Sequence, residues 1–179
     1  IITLSEYKHS LPKIIFNFNL RKQDIPYINE IIALTPKQIQ NTPVELNFRD
    51  NIGFSYGAWS DIFIKYKDKF DYYIFNEDDY FIHDHNFDKY LADTFNSYKD
   101  CGYLCAVAYE GGSDYPSHAA NCFGTSSFEV LNKIYQKYGR LLGEMDEYTQ
   151  KHIGGEVHVN GQVAHTLVVI ELGYKIYDI

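Results

Sequence analysis

The fold of this chain is decided by residues 44–80, which read VELNFRDNIGFSYGAWSDIFIKYKDKFDYYIFNEDDY. Apolar and polar residues alternate over residues 43–49, which is the period of a strand with one buried face. From Ser55 onward the apolar residues recur at helical spacing, and residues 71–75 form a second short apolar run. A strand, a helix and a strand in succession predict a βαβ unit in a mostly parallel sheet.

The same alternation of strand and helix patterns continues on both sides of this stretch. Further strands are predicted at residues 13–18, 102–109 and 174–177. Further helices are predicted to begin at Asp24 and after Asn86, and to cover residues 127–138 and 156–172. A chain of 179 residues with 45% hydrophobic composition is long enough for one sizeable core. We therefore predict a single domain over residues 1–179, with a three-layer α/β/α architecture and a mostly parallel sheet.

Charge and cysteine content limit the partners and the compartment. The formal net charge is −8 and the sequence pI is about 5.3, so neither nucleic acid nor an anionic membrane is expected as the main partner. No apolar run reaches the roughly 18 residues of a membrane span, and we expect no transmembrane segment or export signal. The three cysteines, Cys101, Cys105 and Cys122, lack the spacing of paired C-x-x-C motifs. Free thiols in a reducing cytoplasm are the expectation.

An acidic turn, Glu77-Asp78-Asp79, follows the apolar run of residues 71–75 after one intervening residue, Asn76. In α/β sheets the ligand lies beyond the carboxyl ends of the strands, which is where this turn is predicted to be. Three adjacent carboxylates repel one another, and a hard cation such as Mg²⁺ or Mn²⁺ relieves that repulsion together with the oxygens of a bound phosphate. The alternative is a solvated acidic turn or a helix N-terminus without a ligand.

Two segments of this stretch, RDNIGFSYGAW at residues 49–59 and YYIFNEDDY at residues 72–80, resemble the GT-A glycosyltransferases, especially the inverting family 2 enzymes. The most specific part of the resemblance is the spacing between the Asn51 loop and the Asp79 turn. It implies a nucleotide-diphospho-sugar site in which Asp79 coordinates the metal and Asp78 lies near the ribose or the outer coordination sphere of the metal. Glu77 stands where the first acid of the metal motif often falls, and the resemblance makes both Glu77 and Asn51 candidate substrate-binding residues. Only one strand is predicted before residues 43–49, so the first βα unit of a GT-A-like fold would be abbreviated or missing.

An inverting transfer also needs a general base to take the proton of the acceptor hydroxyl. Glu156 is the first candidate because it opens the predicted last helix, and Asp146 and Glu147 are its rivals. The resemblance also implies a late histidine in the metal shell, for which His158 is the candidate. His118 is a candidate to hydrogen-bond an acceptor sugar, the alternative being a histidine in a surface loop, and Tyr115 is a candidate for stacking on a sugar ring.

The sequence thus predicts a metal-dependent glycosyltransferase that uses Mn²⁺ or Mg²⁺ and a UDP- or GDP-sugar donor. Its acceptor would be a glycan, a lipid or a protein hydroxyl, and the transfer is expected to invert the anomeric centre. The first alternative is a non-catalytic carbohydrate-binding or structural domain descended from such an enzyme. A metal-dependent hydrolase using His83-Asp84-His85 and a nucleotidyltransferase are the remaining alternatives.

Overall fold

The computed structural model describes residues 2–111, 117–119, 123–142 and 157–179, with the backbone alone at residues 2–3 and 157–160. The described helices are α1 (Ile2–Glu6), a 3₁₀ helix (Lys22–Tyr27), α2 (Ile28–Leu34), α3 (Phe54–Tyr66), α4 (Phe87–Ser97), α5 (Phe128–Tyr138) and α6 (Val157–Glu171). The described strands are β1 (Ile14–Leu20), β2 (Gln38–Ile39), β3 (Thr42–Asp50), β4 (Tyr72–Phe75), β5 (Cys101–Cys105), β6 (Ala108–Tyr109), β7 (His118–Ala119), β8 (Gly124–Ser127) and β9 (Lys175–Asp178). The protein is therefore of the mixed α/β class, as predicted.

The chain divides into two compact units. The first unit comprises Ile1–Ile52 and Phe81–Tyr90, and the second comprises Gly53–Tyr80 and Leu91–Ile179. The single domain expected over residues 1–179 stays a prediction. Among the described residues, no helix combines the length and the apolar character that crossing a membrane requires.

The first unit contains a three-stranded sheet in the order β1-β3-β2. Strands β1 and β3 are parallel, in a register that runs from Ile14 opposite Val44 to Leu20 opposite Asp50. Phe18 and Phe48 stack across this pair at 5.4 Å between ring centroids, and the Asn47 side chain donates a 2.7 Å hydrogen bond to Asn17 Oδ1. The strands predicted at residues 13–18 and 43–49 are therefore confirmed. Cross-strand pairs of this kind stabilise neighbouring strands.

The second unit contains a four-stranded sheet in the order β4-β8-β5-β9 and a two-stranded sheet, β6-β7. Over the described residues, β1 with β3 and β5 with β9 are the parallel pairs, and the other four pairs are antiparallel. The prediction of a mostly parallel sheet is therefore wrong for these strands. The reason is that the described residues between β5 and β8 form the β6-β7 hairpin, whereas a parallel return needs a long crossover connection, usually a helix. The predicted strand at residues 102–109 is accordingly split into β5 and β6.

Aromatic side chains of α3 pack on one face of the four-stranded sheet. Trp59 stacks on Phe75 at 4.7 Å between ring centroids, and Phe63 meets Tyr73 edge-on at 5.3 Å. Both α3 residues are buried, so Trp59 belongs to the core as its position on the apolar face of the helix indicates. Each such burial contributes roughly 2–3 kcal/mol to folding. This packing fixes the end of β4, from which the acidic turn follows.

Candidate functional site

The acidic turn lies at an edge of the four-stranded sheet where several strands end. The last residue of β4, Phe75, pairs with Gly124, Gly124 pairs with Cys105, and Cys105 pairs with Asp178. This row places the carboxyl ends of β4, β5 and β9 along one edge, together with the start of the antiparallel strand β8. The predicted position of the turn, directly beyond the carboxyl end of its strand, is confirmed by this register.

The turn itself is closed by hydrogen bonds of its backbone and flanking residues. The Tyr80 N–H donates to the Glu77 carbonyl at 3.4 Å, and Asn76 Nδ2 donates to the Tyr80 carbonyl at 3.5 Å. The Tyr80 ring packs against Phe123 at 6.1 Å between ring centroids. Asp78 and Asp79 are both exposed at the tip of the turn.

Glu77 differs from the two aspartates because its carboxylate has a hydrogen-bond partner within the described part of the chain. The Ser55 hydroxyl, in the first turn of α3, donates a hydrogen bond to Glu77 Oε1. Glu77 is half-buried, and this bond ties the start of the acidic turn to helix α3. Sequence reasoning assigned Glu77 to the substrate and did not identify Ser55, since the two residues are 22 positions apart. The only sequence feature that could have identified Ser55 is its position near the start of a predicted helix.

Helix α3 begins with a tight turn of unusual backbone. Gly53 precedes the helix with φ 73°, and Phe54 follows with φ 49°, so two successive residues lie in the left-handed region. A Cβ atom at Gly53 would lie 3.2 Å from the Cα of Gly57, and the Gly57 N–H donates to the Gly53 carbonyl at 2.7 Å. A left-handed phenylalanine costs roughly 1–2 kcal/mol, and such strain is concentrated at ligand sites. Gly53 caps the N-terminus of α3, so the positive end of the helix dipole lies close to Ser55, which donates the hydrogen bond to Glu77.

The donor set of this turn fits a cation that shares its ligands with a phosphate. No group of three or more His, Cys, Asp or Glu side chains among the described residues is arranged to hold a metal ion. Mg²⁺ is commonly bound through one or two carboxylates together with waters and substrate phosphates, without a cage made of protein alone. Exposed Asp78 and Asp79 provide two such carboxylates, and the turn therefore suits a cation that arrives with its phosphate ligand.

Asn51, the other half of the resemblance, lies in the first unit. Its N–H donates to the Leu20 carbonyl at 3.2 Å, and its Oδ1 atom is buried without a hydrogen bond to any residue that the structure describes. The neighbouring Arg49 donates to the Ile52 carbonyl at 2.8 Å and to Asn19 Oδ1 at 2.7 Å. The loop after β3 is thus held in shape by Arg49.

His118 is buried, not part of a surface loop. It lies in β7 opposite Tyr109 of β6, only 4% of its surface is exposed, and the two rings are 5.1 Å apart. The next residue, Ala119, donates its N–H to Thr166 Oγ1 of α6 at 3.0 Å within the core. The alternative of a surface histidine is therefore wrong, because β7 is pinned against α6.

His165 of α6 is a second buried histidine, and the sequence predicted no specific role for it. It is 2% exposed, and its ring lies 4.7 Å from that of Tyr103 and 5.5 Å from that of Tyr56. Its Nε2 atom makes no hydrogen bond to the described residues, and burial lowers its pKa to about 4. His165 is therefore neutral at physiological pH. Its apolar neighbours Val163 and Ala164 are the signal that marks it as a core residue.

The motif His83-Asp84-His85 has a packing role in the first unit. The Lys8 N–H donates to His85 Nδ1 at 2.9 Å, and the Tyr7 ring lies 5.4 Å from His85 and 6.4 Å from His83. The Asn86 N–H also donates to the Lys8 carbonyl at 2.6 Å. These contacts fasten the segment around Lys8 and give no support to a hydrolase metal site.

Several predicted residues lie outside the described part of the chain. These are the base candidates Glu156, Asp146 and Glu147, together with Tyr115 and Cys122. His158 lies in α6, where only the backbone is described. Their assigned roles stay predictions.

Comparison with known protein families, with curated proteins and with solved structures found no match to this chain. The resemblance to GT-A glycosyltransferases therefore rests on the sequence itself, chiefly on residues 44–80 and more loosely on residues 173–176.

Proposed function

We propose that this chain is a metal-dependent glycosyltransferase domain of GT-A type, which moves a sugar from a UDP- or GDP-sugar onto a hydroxyl of a glycan, lipid or protein. The observation that carries the proposal is the acidic turn beyond the carboxyl end of β4. In this turn Glu77 is held by Ser55, while Asp78 and Asp79 are exposed. One carboxylate thus orients the turn and two remain for a ligand.

Asp79, with Asp78 beside it, would hold Mn²⁺ or Mg²⁺. When bound, the cation supplies charge neutralisation to the diphosphate leaving group. Without it, the two aspartates repel a diphosphate, in a chain whose net charge is already −8. Nucleotide binding at this turn is therefore expected to depend strictly on the metal.

Helix α3 supports the same assignment. Its N-terminus is linked to the acidic turn through the hydrogen bond from Ser55 to Glu77. Backbone N–H groups and the helix dipole favour an anion at such a terminus. The dipole and the aspartates consequently act on one region, which suits a ligand made of a phosphate and a cation.

Glu156 is proposed as the general base, with Asp146 as its rival, and His158 as an additional metal ligand. Glu156 comes directly before α6 in the chain. Deprotonation of the acceptor hydroxyl by such a carboxylate, on the face opposite the leaving group, would invert the anomeric centre.

A cytoplasmic location is part of the proposal and is supported by the thiols. Cys101 and Cys105 are free and buried, and burial raises their pKa values to about 12 and about 11. Buried thiols of this kind are unreactive and need no oxidising compartment.

Calorimetric titration of the chain with UDP and with GDP, first with Mn²⁺ and then with EDTA, tests the proposal. We expect one of the two nucleotides to bind only in Mn²⁺, and Asp79→Asn to weaken that binding by about a hundredfold or more, which is roughly 3 kcal/mol. Asp93→Asn is the matched control, because Asp93 is an exposed aspartate of α4. Binding that persists in EDTA, or that Asp79→Asn leaves unchanged, would contradict the proposal.

A further inference from the structure

We propose that Tyr109 binds the sugar ring of a neutral pyranoside acceptor by stacking, on the same sheet edge as the acidic turn. The role of this sugar as the acceptor rests on the proposed function, whereas the stacking itself depends only on the β6-β7 hairpin. The hairpin and the acidic turn both belong to the second unit.

The hairpin follows the carboxyl end of β5, in the row of strand ends that also includes the end of β4. Strand β6 begins at Ala108, shortly after β5 ends at Cys105. Strand β8 separates β5 from β4, and neighbouring strands are about 4.8 Å apart, so the ends of β4 and β5 are roughly 10 Å from each other. Strand β6 lies against β9, on the far side of β5 from β4, so an acceptor held by the hairpin would lie beyond the same row of strand ends as a donor held at Asp78 and Asp79.

Tyr109 presents an aromatic surface to solvent at this edge. It is 43% exposed, and Val107, two residues earlier, is 51% exposed. Val107 directly precedes β6, so a second exposed apolar side chain lies within two residues of Tyr109. A pyranose ring offers a face of C–H groups that matches such a surface, and tyrosine adds a hydroxyl for the sugar's polar rim.

The support under Tyr109 is rigid. Its ring lies against His118, which is 4% exposed, and the hairpin is anchored by the buried hydrogen bond from Ala119 N–H to Thr166 Oγ1. The Ser117 hydroxyl also donates to the Glu110 carbonyl at 2.6 Å across the hairpin. Tyrosine has two side-chain torsions, so ordering it on a fixed support costs little entropy. His118, which the sequence predicted to contact the sugar directly, packs under the Tyr109 ring and supports it.

The charge near the hairpin selects the class of sugar. Glu110, which follows Tyr109, is exposed, and its carboxylate can accept hydrogen bonds from sugar hydroxyls. The same carboxylate repels a sugar acid, as does the net charge of −8. A neutral hexose is therefore the expected ligand.

Protein-observed NMR titration with methyl glucosides, galactosides and mannosides, both α and β, tests this role. We expect at least one glycoside to bind the unaltered chain, Tyr109→Ala to weaken it about fivefold or more, and Tyr109→Phe to stay within about twofold because the ring remains. Tyr90→Ala, which removes a tyrosine that is 57% exposed, should leave binding unchanged. The inference is overturned if no glycoside binds, or if Tyr109→Ala binds as the unaltered chain does.

Titration of the same variants with UDP or GDP in Mn²⁺ separates this inference from the proposed function. Tyr109→Ala should keep the nucleotide affinity of the unaltered chain. Glycoside binding that requires Tyr109, in a chain that binds neither nucleotide, would support the stacking role and refute the transferase. It would then favour the carbohydrate-binding alternative.

Discussion

The turns at residues 77–79 and 83–85 are close in sequence and similar in composition, yet their side chains are used differently. In the first turn Glu77 alone has a hydrogen-bond partner among the residues that the structure describes, namely Ser55, and both aspartates are exposed. In the second, Tyr7 packs on His83 and His85, and His85 also accepts the Lys8 N–H. Side chains that could bind a metal form a candidate site only where other groups of the protein do not already bond to them or pack on them.

A third histidine, His165, sharpens this comparison because burial alone controls its charge. Its folded-state pKa is about 4, below the ordinary value of 6.5, so the unfolded chain takes up the proton first as the pH falls. The stability contribution is complete above about pH 6.5 and is lost as the pH falls towards 4, by roughly 3 kcal/mol in total. Urea unfolding at several pH values, compared with His165→Gln, measures this loss.

The control for that experiment is His85→Gln, since His85 is exposed. This variant should keep the acid sensitivity of the unaltered chain, whereas His165→Gln should flatten it. Equal pH dependence in the unaltered chain and in His165→Gln would show that His165 is not held neutral by burial.

A smaller effect tests whether Glu77 orients the acidic turn or binds the ligand. Ser55→Ala removes the hydroxyl that holds Glu77, and we expect the affinity for nucleotide and Mn²⁺ to fall about tenfold, roughly 1.4 kcal/mol. Glu77→Gln retains an acceptor for Ser55 and should lose less, while Ser97→Ala, which removes a local hydrogen bond to the Thr94 carbonyl, is the control. If Glu77→Gln is as damaging as Asp79→Asn, then Glu77 is itself a ligand.

The smallest expected effect concerns the histidine turn. His85→Ala removes the acceptor of the Lys8 N–H, an exposed hydrogen bond that contributes on the order of 0.5–1 kcal/mol. Hydrogen exchange of the Lys8 amide should therefore accelerate several-fold, while nucleotide titration in Mn²⁺ stays unchanged. A loss of nucleotide affinity comparable to that of Asp79→Asn would break the distinction between the two turns.

Local patterns predicted the elements that carry the site. Strand β3, helix α3 and strand β4 follow from apolar periods of two and of about 3.6 residues, and each was found within a few residues of its predicted bounds. The exposure of Asp78 and Asp79 beyond the end of β4 follows from the same local reading. Trp59 is buried in the core, in agreement with its position on the apolar face of α3.

What tertiary structure alone decided is the set of contacts between distant positions. The direction of β8, inserted between β4 and β5, depends on the path of the chain through the β6-β7 hairpin. The bond from Ser55 to Glu77 and the burial of His118 under Tyr109 likewise join residues of separate elements. Periodicity indicates which face of an element is apolar, but it does not indicate which other element will cover that face. Sequence therefore determined where the carboxylates of this protein lie along the chain, while packing determined which polar groups remain available to a ligand.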